Sequence, residues 1–183
     1  MFYKHLTGVL TAQECQVLIA RGHGLGFQQA LVNNYGSDEL LTHIRNNDRV
    51  EFDDQQLAIE LGAKLLTALA DQFPYHVEHR QYVKPGDHFR MYRYVPGQYF
   101  KPHRDGSFKD KELESEITVL FYLNDADGGE TVLMPYGLQQ KWAHQAFTPK
   151  AGDVLMFNHK TWHEGRPVNN GEKYVLRTDL FYV

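Results

Sequence analysis

Leu57, Leu61, Leu65 and Leu69 recur every fourth residue, an apolar stripe along one side of a helix. Asp53-Asp54 opens that helix, which runs to about Gln72, and Pro74 stops it. Upstream, Thr11-Ala12-Gln13-Glu14 is a capping box opening a shorter helix that ends near Gly22. After Phe73-Pro74 the period changes. Phe89 to Val95, Ile117 to Leu123, Glu130 to Met134, Val154 to Phe157 and Lys173 to Val183 are short, aromatic and β-branched, as strands are. Pro96-Gly97, Asp127-Gly128-Gly129, Pro135-Tyr136-Gly137, Ala151-Gly152-Asp153 and Asn169-Asn170-Gly171 separate them with turn chemistry. Many short strands punctuated this way predict a sandwich, barrel or jelly roll. Helices first and strands later predict an α+β chain, mainly β, whose N-terminal helices buttress a sheet. At 183 residues the expectation is a single domain over 1–183, with helical support over 1–74 and a β core over 75–183.

Bulk properties narrow the function classes. With 42% hydrophobic and 23% charged residues, the composition is that of an ordinary globular protein. A formal charge of -4 offers no basic field, so neither nucleic acid nor an anionic membrane is an expected partner. Cys15 is the only cysteine, which excludes a disulfide framework and any Cys-rich metal site. Met1 to His5 lack a signal-peptide pattern, and no apolar run approaches the roughly 20 residues that span a bilayer. A cytoplasmic location is the resulting expectation.

Ten histidines invite a search for metal ligands. His103-Arg104-Asp105 is followed, 58 positions after Asp105, by His163 (163 − 105). On a strand, residues i and i+2 share a face, so His103 and Asp105 can grip one ion together. A third ligand from a distant strand closes a triangular face and leaves positions open, the arrangement of non-haem iron(II) oxygenases. A His-x-Asp alone is more often a solvated strand end. The surrounding residues decide.

Arg93-Tyr94-Val95-Pro96-Gly97-Gln98-Tyr99-Phe100-Lys101-Pro102-His103-Arg104-Asp105-Gly106 closely resembles the metal-binding segment of prolyl 4-hydroxylase-type dioxygenases. Five further segments follow in that family's order: Thr118 to Asn124, Gly128 to Thr131, Pro149 to Asp153, His163 to Val168, and Gly171 to Tyr174. The resemblance covers roughly residues 85 to 183. It implies a double-stranded β-helix (jelly roll) whose mouth holds iron(II) on His103, Asp105 and His163. The implied cosubstrates are 2-oxoglutarate and O₂, with ascorbate as an accessory. It further implies that a cation about ten positions after the distal histidine receives the far carboxylate of 2-oxoglutarate. Lys173 stands at that spacing. Arg177 is the rival: it shares the strand face about 7 Å further along and offers a bidentate fork. Tyr94, nine positions before His103, matches a tyrosine that hydrogen-bonds the cosubstrate; Tyr122 matches another near the far carboxylate, and Thr131 is a weaker candidate. The implied reaction is hydroxylation of a C–H bond, of a prolyl or other protein side chain, with release of succinate and CO₂. The alternatives are a small molecule or free amino acid as substrate, or a non-catalytic sensor binding metal and 2-oxoglutarate.

Other signals carry less. His159 and His163 are four apart, but Lys-Thr-Trp between them lacks the glutamate of a zinc protease, so His159 is expected beside the site or at the surface. His76 and His79 follow a helix stop and are expected to be solvated. Arg45-Asn46-Asn47-Asp48-Arg49 is expected to be a solvated loop between the helices, with Arg49 leaning over the mouth of the site as its sharper reading. The helical half and residues 106 to 116 are the expected shapers of specificity.

Overall fold

The computed structural model describes residues 2–34 and 37–183. Both expected helices form. In α1 (Ala12–Leu25) the Thr11 hydroxyl accepts the Glu14 N–H at 3.2 Å, and the Glu14 carboxylate accepts the Thr11 N–H at 2.8 Å. The helix continues past Gly22, because that glycine serves packing: a Cβ there would collide with Met91 and Phe27. In α2 (Gln55–Leu69) the Asp54 carboxylate accepts the Leu57 N–H at 2.9 Å. Leu61, Leu65 and Leu69 are buried along its stripe, and a 3₁₀ turn carries the chain to Gln72. No helix among the described residues is long and apolar enough to cross a membrane.

The five expected strands form, within a residue or four of their expected ends. The labelled strands are β1 (Tyr3–Leu6), β2 (Asp48–Asp53), β3 (Arg80–Pro85), β4 (His88–Tyr94), β5 (Phe100–His103), β6 (Leu113–Tyr122), β7 (Thr131–Met134), β8 (Gln145–Phe147), β9 (Val154–Asn158), β10 (Trp162–Gly165) and β11 (Lys173–Tyr182). The larger sheet runs β1-β9-β6-β11-β4-β2, antiparallel throughout, with β3 paired to the end of β11. The smaller runs β8-β7-β10-β5, also antiparallel.

The first 74 residues are not simply helical. β1 lengthens the larger sheet at one edge, and β2, with the short strand Gln28–Gln29 paired outside it, at the other. The expected polar loop at 45–49 is therefore corrected: Asp48 and Arg49 start β2, and Arg45 and Asn47 are buried. The charges of Asp48-Arg-Val-Glu-Phe-Asp hide a period-2 alternation in which Val50 and Phe52 pack against the core while Arg49 and Glu51 pair on the other face.

Alternation divides the larger sheet into two faces. Phe89 and Met91, Val119 and Phe121, Val154 and Met156, and Leu176 and Leu180 join Leu61, Leu65 and Leu69 in one apolar core beneath the helices. Tyr92 and Tyr94, Leu120 and Tyr122, Leu155 and Phe157, and Val175 form a second cluster with Leu133 of the smaller sheet. The polar side chains of that second face build the site.

Candidate metal centre

Pairing of β5 with β10 sets His103 directly opposite His163. That register explains how two residues sixty positions apart meet, their ring centroids 4.1 Å from each other. Each imidazole is oriented by a main-chain carbonyl beside its Nδ1: Lys101 O at 2.8 Å for His103 and Thr161 O at 3.0 Å for His163. With Nδ1–H donating to those carbonyls, the Nε2 lone pairs face inward. Asp105 differs from its expected setting: β5 ends at His103, and Asp105 lies just beyond, its N–H donating to His159 O at 3.1 Å. Its carboxylate still converges on the histidines, Oδ1 lying 3.9 Å from His103 Nε2 and Oδ2 3.7 Å from His163 Nε2. One ligand atom from each of the three lies within 4.8 Å of the others.

Both carboxylate oxygens are held. Arg177 donates to Oδ1 at 2.6 Å, and Thr118 Oγ1 donates to Oδ2 at 2.6 Å. Burial alone would raise the Asp105 pKa, but the Arg177 guanidinium bonded to it outweighs burial and keeps the carboxyl ionised. Burial lowers the proton affinity of His103 and His163, so both imidazoles stay neutral near pH 7. Two neutral imidazoles and one ionised carboxylate form a donor set that fits a divalent iron with open positions.

The cavity beside these ligands is lined by Tyr94, Thr131, Lys173 and Arg177 among others. The two cations differ. Arg177 is committed: besides Asp105, its Nη2 lies 3.1 Å from Asp179 Oδ1. Lys173 is buried, donates to the Gly129 carbonyl at 2.6 Å, and has no carboxylate within ion-pair distance among the described residues. Burial depresses its pKa to about 7, with only partial compensation from Glu130. Its ammonium lies 5.0 Å from the centre of the Tyr94 ring and 5.8 Å from that of Tyr122. The Tyr122 hydroxyl is buried without a hydrogen bond of good geometry, although Thr131 lies near enough to ease the upward shift that burial imposes on the phenol. An ammonium without a carboxylate on the cavity wall, with an orphaned hydroxyl close behind it, fits an anionic, oxygen-rich ligand.

Arg49 shares this face but bonds Glu51 at 2.9 Å and does not line the cavity. His76 and His79 are exposed. Sequence reasoning missed Thr118 and left His159 undecided between site and surface. Buried His159 bridges Thr118 (2.8 Å) and Ser115 (2.9 Å), so a hydrogen-bonded chain, Ser115–His159–Thr118, ends on Asp105. The one available signal was strand alternation, which aims Thr118 inward with Leu120 and Tyr122.

This chain resembles known proteins. Residues 89–178 match the family model described as the 2OG-Fe(II) oxygenase superfamily. A protein of Acanthamoeba polyphaga mimivirus, provisionally named a prolyl 4-hydroxylase, is 26% identical over 93% of this chain and 70% of its own length. A PKHD-type hydroxylase of Shewanella baltica is 23% identical over 76% of this chain, which spans 62% of that protein. Among solved structures, the viral collagen prolyl hydroxylase of Paramecium Bursaria Chlorella virus-1, in complex with 2OG, superposes with a TM-score of 0.69 at 22% identity, covering 100% of this chain and 97% of that one. The fold is therefore the jelly roll of the 2OG oxygenases, and residues 89–178, about half of the chain, form a domain that matches the 2OG-Fe(II) oxygenase superfamily.

Proposed function

We propose that this chain hydroxylates a C–H bond of a prolyl or other protein side chain, using iron(II) held by His103, Asp105 and His163. The observation carrying this reading is the convergence of three ligand atoms within 4.8 Å beside a buried, carboxylate-free Lys173. Lys173 receives the far carboxylate of 2-oxoglutarate, while Arg177 stays on Asp105 and Asp179. Tyr94 and Tyr122 flank the ammonium and offer hydroxyls to the same carboxylate. Iron with 2-oxoglutarate supplies the chemistry that activates O₂, converting the cosubstrate to succinate and CO₂. The chain's own residues keep three donors aimed at one point, keep Asp105 ionised, and hold the cosubstrate in a pocket that excludes bulk water. Prolyl hydroxylation is favoured by the names of the mimivirus and chlorella virus relatives. The reading includes a reducing, cytoplasmic setting, in keeping with one buried, unpaired Cys15, and a rate that rises with ascorbate.

The test is succinate release with iron(II) and 2-oxoglutarate, alone and with proline-containing peptides. Peptides are expected to stimulate it, and Asp105→Ala to abolish it. Full turnover by Asp105→Ala would overturn the ligand assignment. Stimulation by free imino or amino acids instead of peptides would make the substrate a small molecule. Binding of both iron and 2-oxoglutarate without succinate from any candidate would make the protein a sensor.

A further inference from the structure

Arg45 belongs to no part of the site described so far. It is 4% exposed, and its Nη2 is buried without a hydrogen bond. Burying a cation is costly unless something nearby requires it. Its surroundings identify that requirement. The guanidinium carbon lies 4.2 Å from the centre of the Phe100 ring and 5.1 Å from that of Tyr92. On Phe100 the His103 imidazole stacks at 3.5 Å, the planes 15° apart. Two flat groups that close cannot share one face of a phenyl ring, so Phe100 is clamped between Arg45 outside and His103 inside. The backbone supports the clamp. Arg45 forms a β-bridge with Phe100, Ile44 O accepts the Lys101 N–H at 2.9 Å, and Asn46 Oδ1 accepts the Tyr99 N–H at 2.8 Å. Residues 44–46 thus cover the outer edge of β5, the strand that carries His103. The Arg45 Nε donates to Asn47 Oδ1 at 3.1 Å, which fixes the plane of the guanidinium.

We propose that Arg45 is a positioning residue for the metal centre, acting through Phe100 to fix the plane of the His103 imidazole. The inference rests on the reading of His103 as an iron ligand. The Nδ1–carbonyl bond sets which nitrogen faces the metal; the stack sets the tilt of the ring about that bond. The sign of the effect separates this role from simple electrostatics. Arg45 bears a positive charge near the site, so its removal would by charge alone tighten a bound cation. Loss of positioning loosens it.

The test uses cobalt(II) as the probe, titrated into metal-free enzyme and read by its visible absorption bands and its Kd, with no turnover required. Arg45→Met and Phe100→Leu are each expected to weaken cobalt binding by roughly tenfold, the low end of what outer residues contribute at metal sites. Each is also expected to broaden the absorption bands. The double variant is expected to be no weaker than the weaker single one, because both remove the same clamp. Arg45→Lys, which keeps a cation over the ring without its flat face, is expected between wild type and Arg45→Met. Unchanged affinity and spectrum in Arg45→Met, unchanged spectrum in Phe100→Leu, or multiplying losses in the double variant would overturn the proposal. Should Arg45→Met fail to fold by circular dichroism, Arg45→Lys in the Phe100→Leu background decides by the same non-additivity. His103→Ala separates the two levels: if it binds cobalt like wild type, the ligand reading itself falls and the clamp has no target.

Discussion

The two faces of the larger sheet share one hydrogen-bonded ladder and follow opposite rules. Toward the helices β11 presents Tyr174, Leu176, Leu180 and Tyr182, and β6 presents Ile117, Val119 and Phe121; all are buried in one apolar core. Toward the smaller sheet the same strands present Lys173, Arg177 and Asp179, with Thr118 beside them, equally buried but polar. Burial on the first face is a gain, about 25 cal/mol for each Å² of apolar surface removed from water. Burial on the second is a cost at every charged atom until a partner offsets it. Arg177 and Asp105 have found such partners in each other, whereas Lys173 has only the neutral Gly129 carbonyl. Stability comes from one face, and the capacity to bind is held on the other. On this sheet, then, the buried charge left without a counter-charge stands where a ligand can supply one.

The largest expected effect comes from breaking the apolar face. Phe121 is fully buried beneath the helices. Phe121→Ala should destabilise the fold by about 3–5 kcal/mol, measured by chemical denaturation. The KM for 2-oxoglutarate of the remaining folded enzyme should stay within about twofold. A large shift in KM with little loss of stability would mean that the faces are not separable.

Lys173→Met is the mirror experiment. It keeps the bulk and removes a buried ammonium, so thermal stability should hold or rise. The KM for 2-oxoglutarate should rise some thirtyfold or more, since stripping a buried carboxylate of its charged partner costs about 2 kcal/mol or more. Arg177→Met should raise that KM far less. The opposite ranking would move the carboxylate site to Arg177.

The same lysine gives a pH dependence. Its pKa in the folded protein is depressed from 10.5 to about 7, so above pH 7 the folded protein holds it neutral while the unfolded chain keeps it charged. The unfolded state then binds more protons, and Lys173 adds stability as pH rises from 7 toward 10.5. Cosubstrate binding runs the other way, because the carboxylate needs the ammonium. The KM for 2-oxoglutarate should climb above pH 7, by up to about tenfold per unit, with uptake of up to about one proton on binding near pH 8, seen by calorimetry in two buffers. A flat KM from pH 6.5 to 9 would mean either that the Lys173 ammonium stays charged across that range or that it is not the anchor, and the KM of Lys173→Met decides between the two.

Much of this division was legible in the residues. The five strands, both helix starts and the glycine turns follow from period and turn chemistry; Gly97, Gly128, Gly137, Gly152 and Gly171 all take positive φ, as those turns require. The ligands were legible because His-x-Asp stood inside an ordered set of motifs. β2 was not, since Arg49 and Glu51 made an alternating strand resemble a polar loop. Arg45 and Asn47 were not, because local sequence cannot announce that tertiary packing will bury a charge against Phe100 and Tyr92. Strand alternation foretold that His103 and Asp105 would face one way. They do meet, although Asp105 lies past the strand end and is fixed by the His159 carbonyl and Arg177.

Thr118 offers the smallest and most exacting test of the comparison. Val119 and Phe121, its neighbours in β6, pack beneath the helices, whereas its own hydroxyl joins Asp105 to His159. Thr118→Val keeps shape and volume and removes only the hydroxyl, so the apolar core should not register it. The cost should be the desolvation of two groups left unpaired, Asp105 Oδ2 and His159 Nδ1, about 1–3 kcal/mol in stability. Metal binding recovers part of that, because an ion takes over the exposed carboxylate oxygen. The stability gap between Thr118→Val and wild type should therefore narrow in thermal scans when manganese(II) is added at saturating concentration. By the same thermodynamic cycle the variant should bind manganese(II) more tightly than wild type, in proportion to that narrowing. If the gap widens with metal, Thr118 supports the ion by a route other than the Asp105 oxygen, and the two faces are coupled through β6 itself.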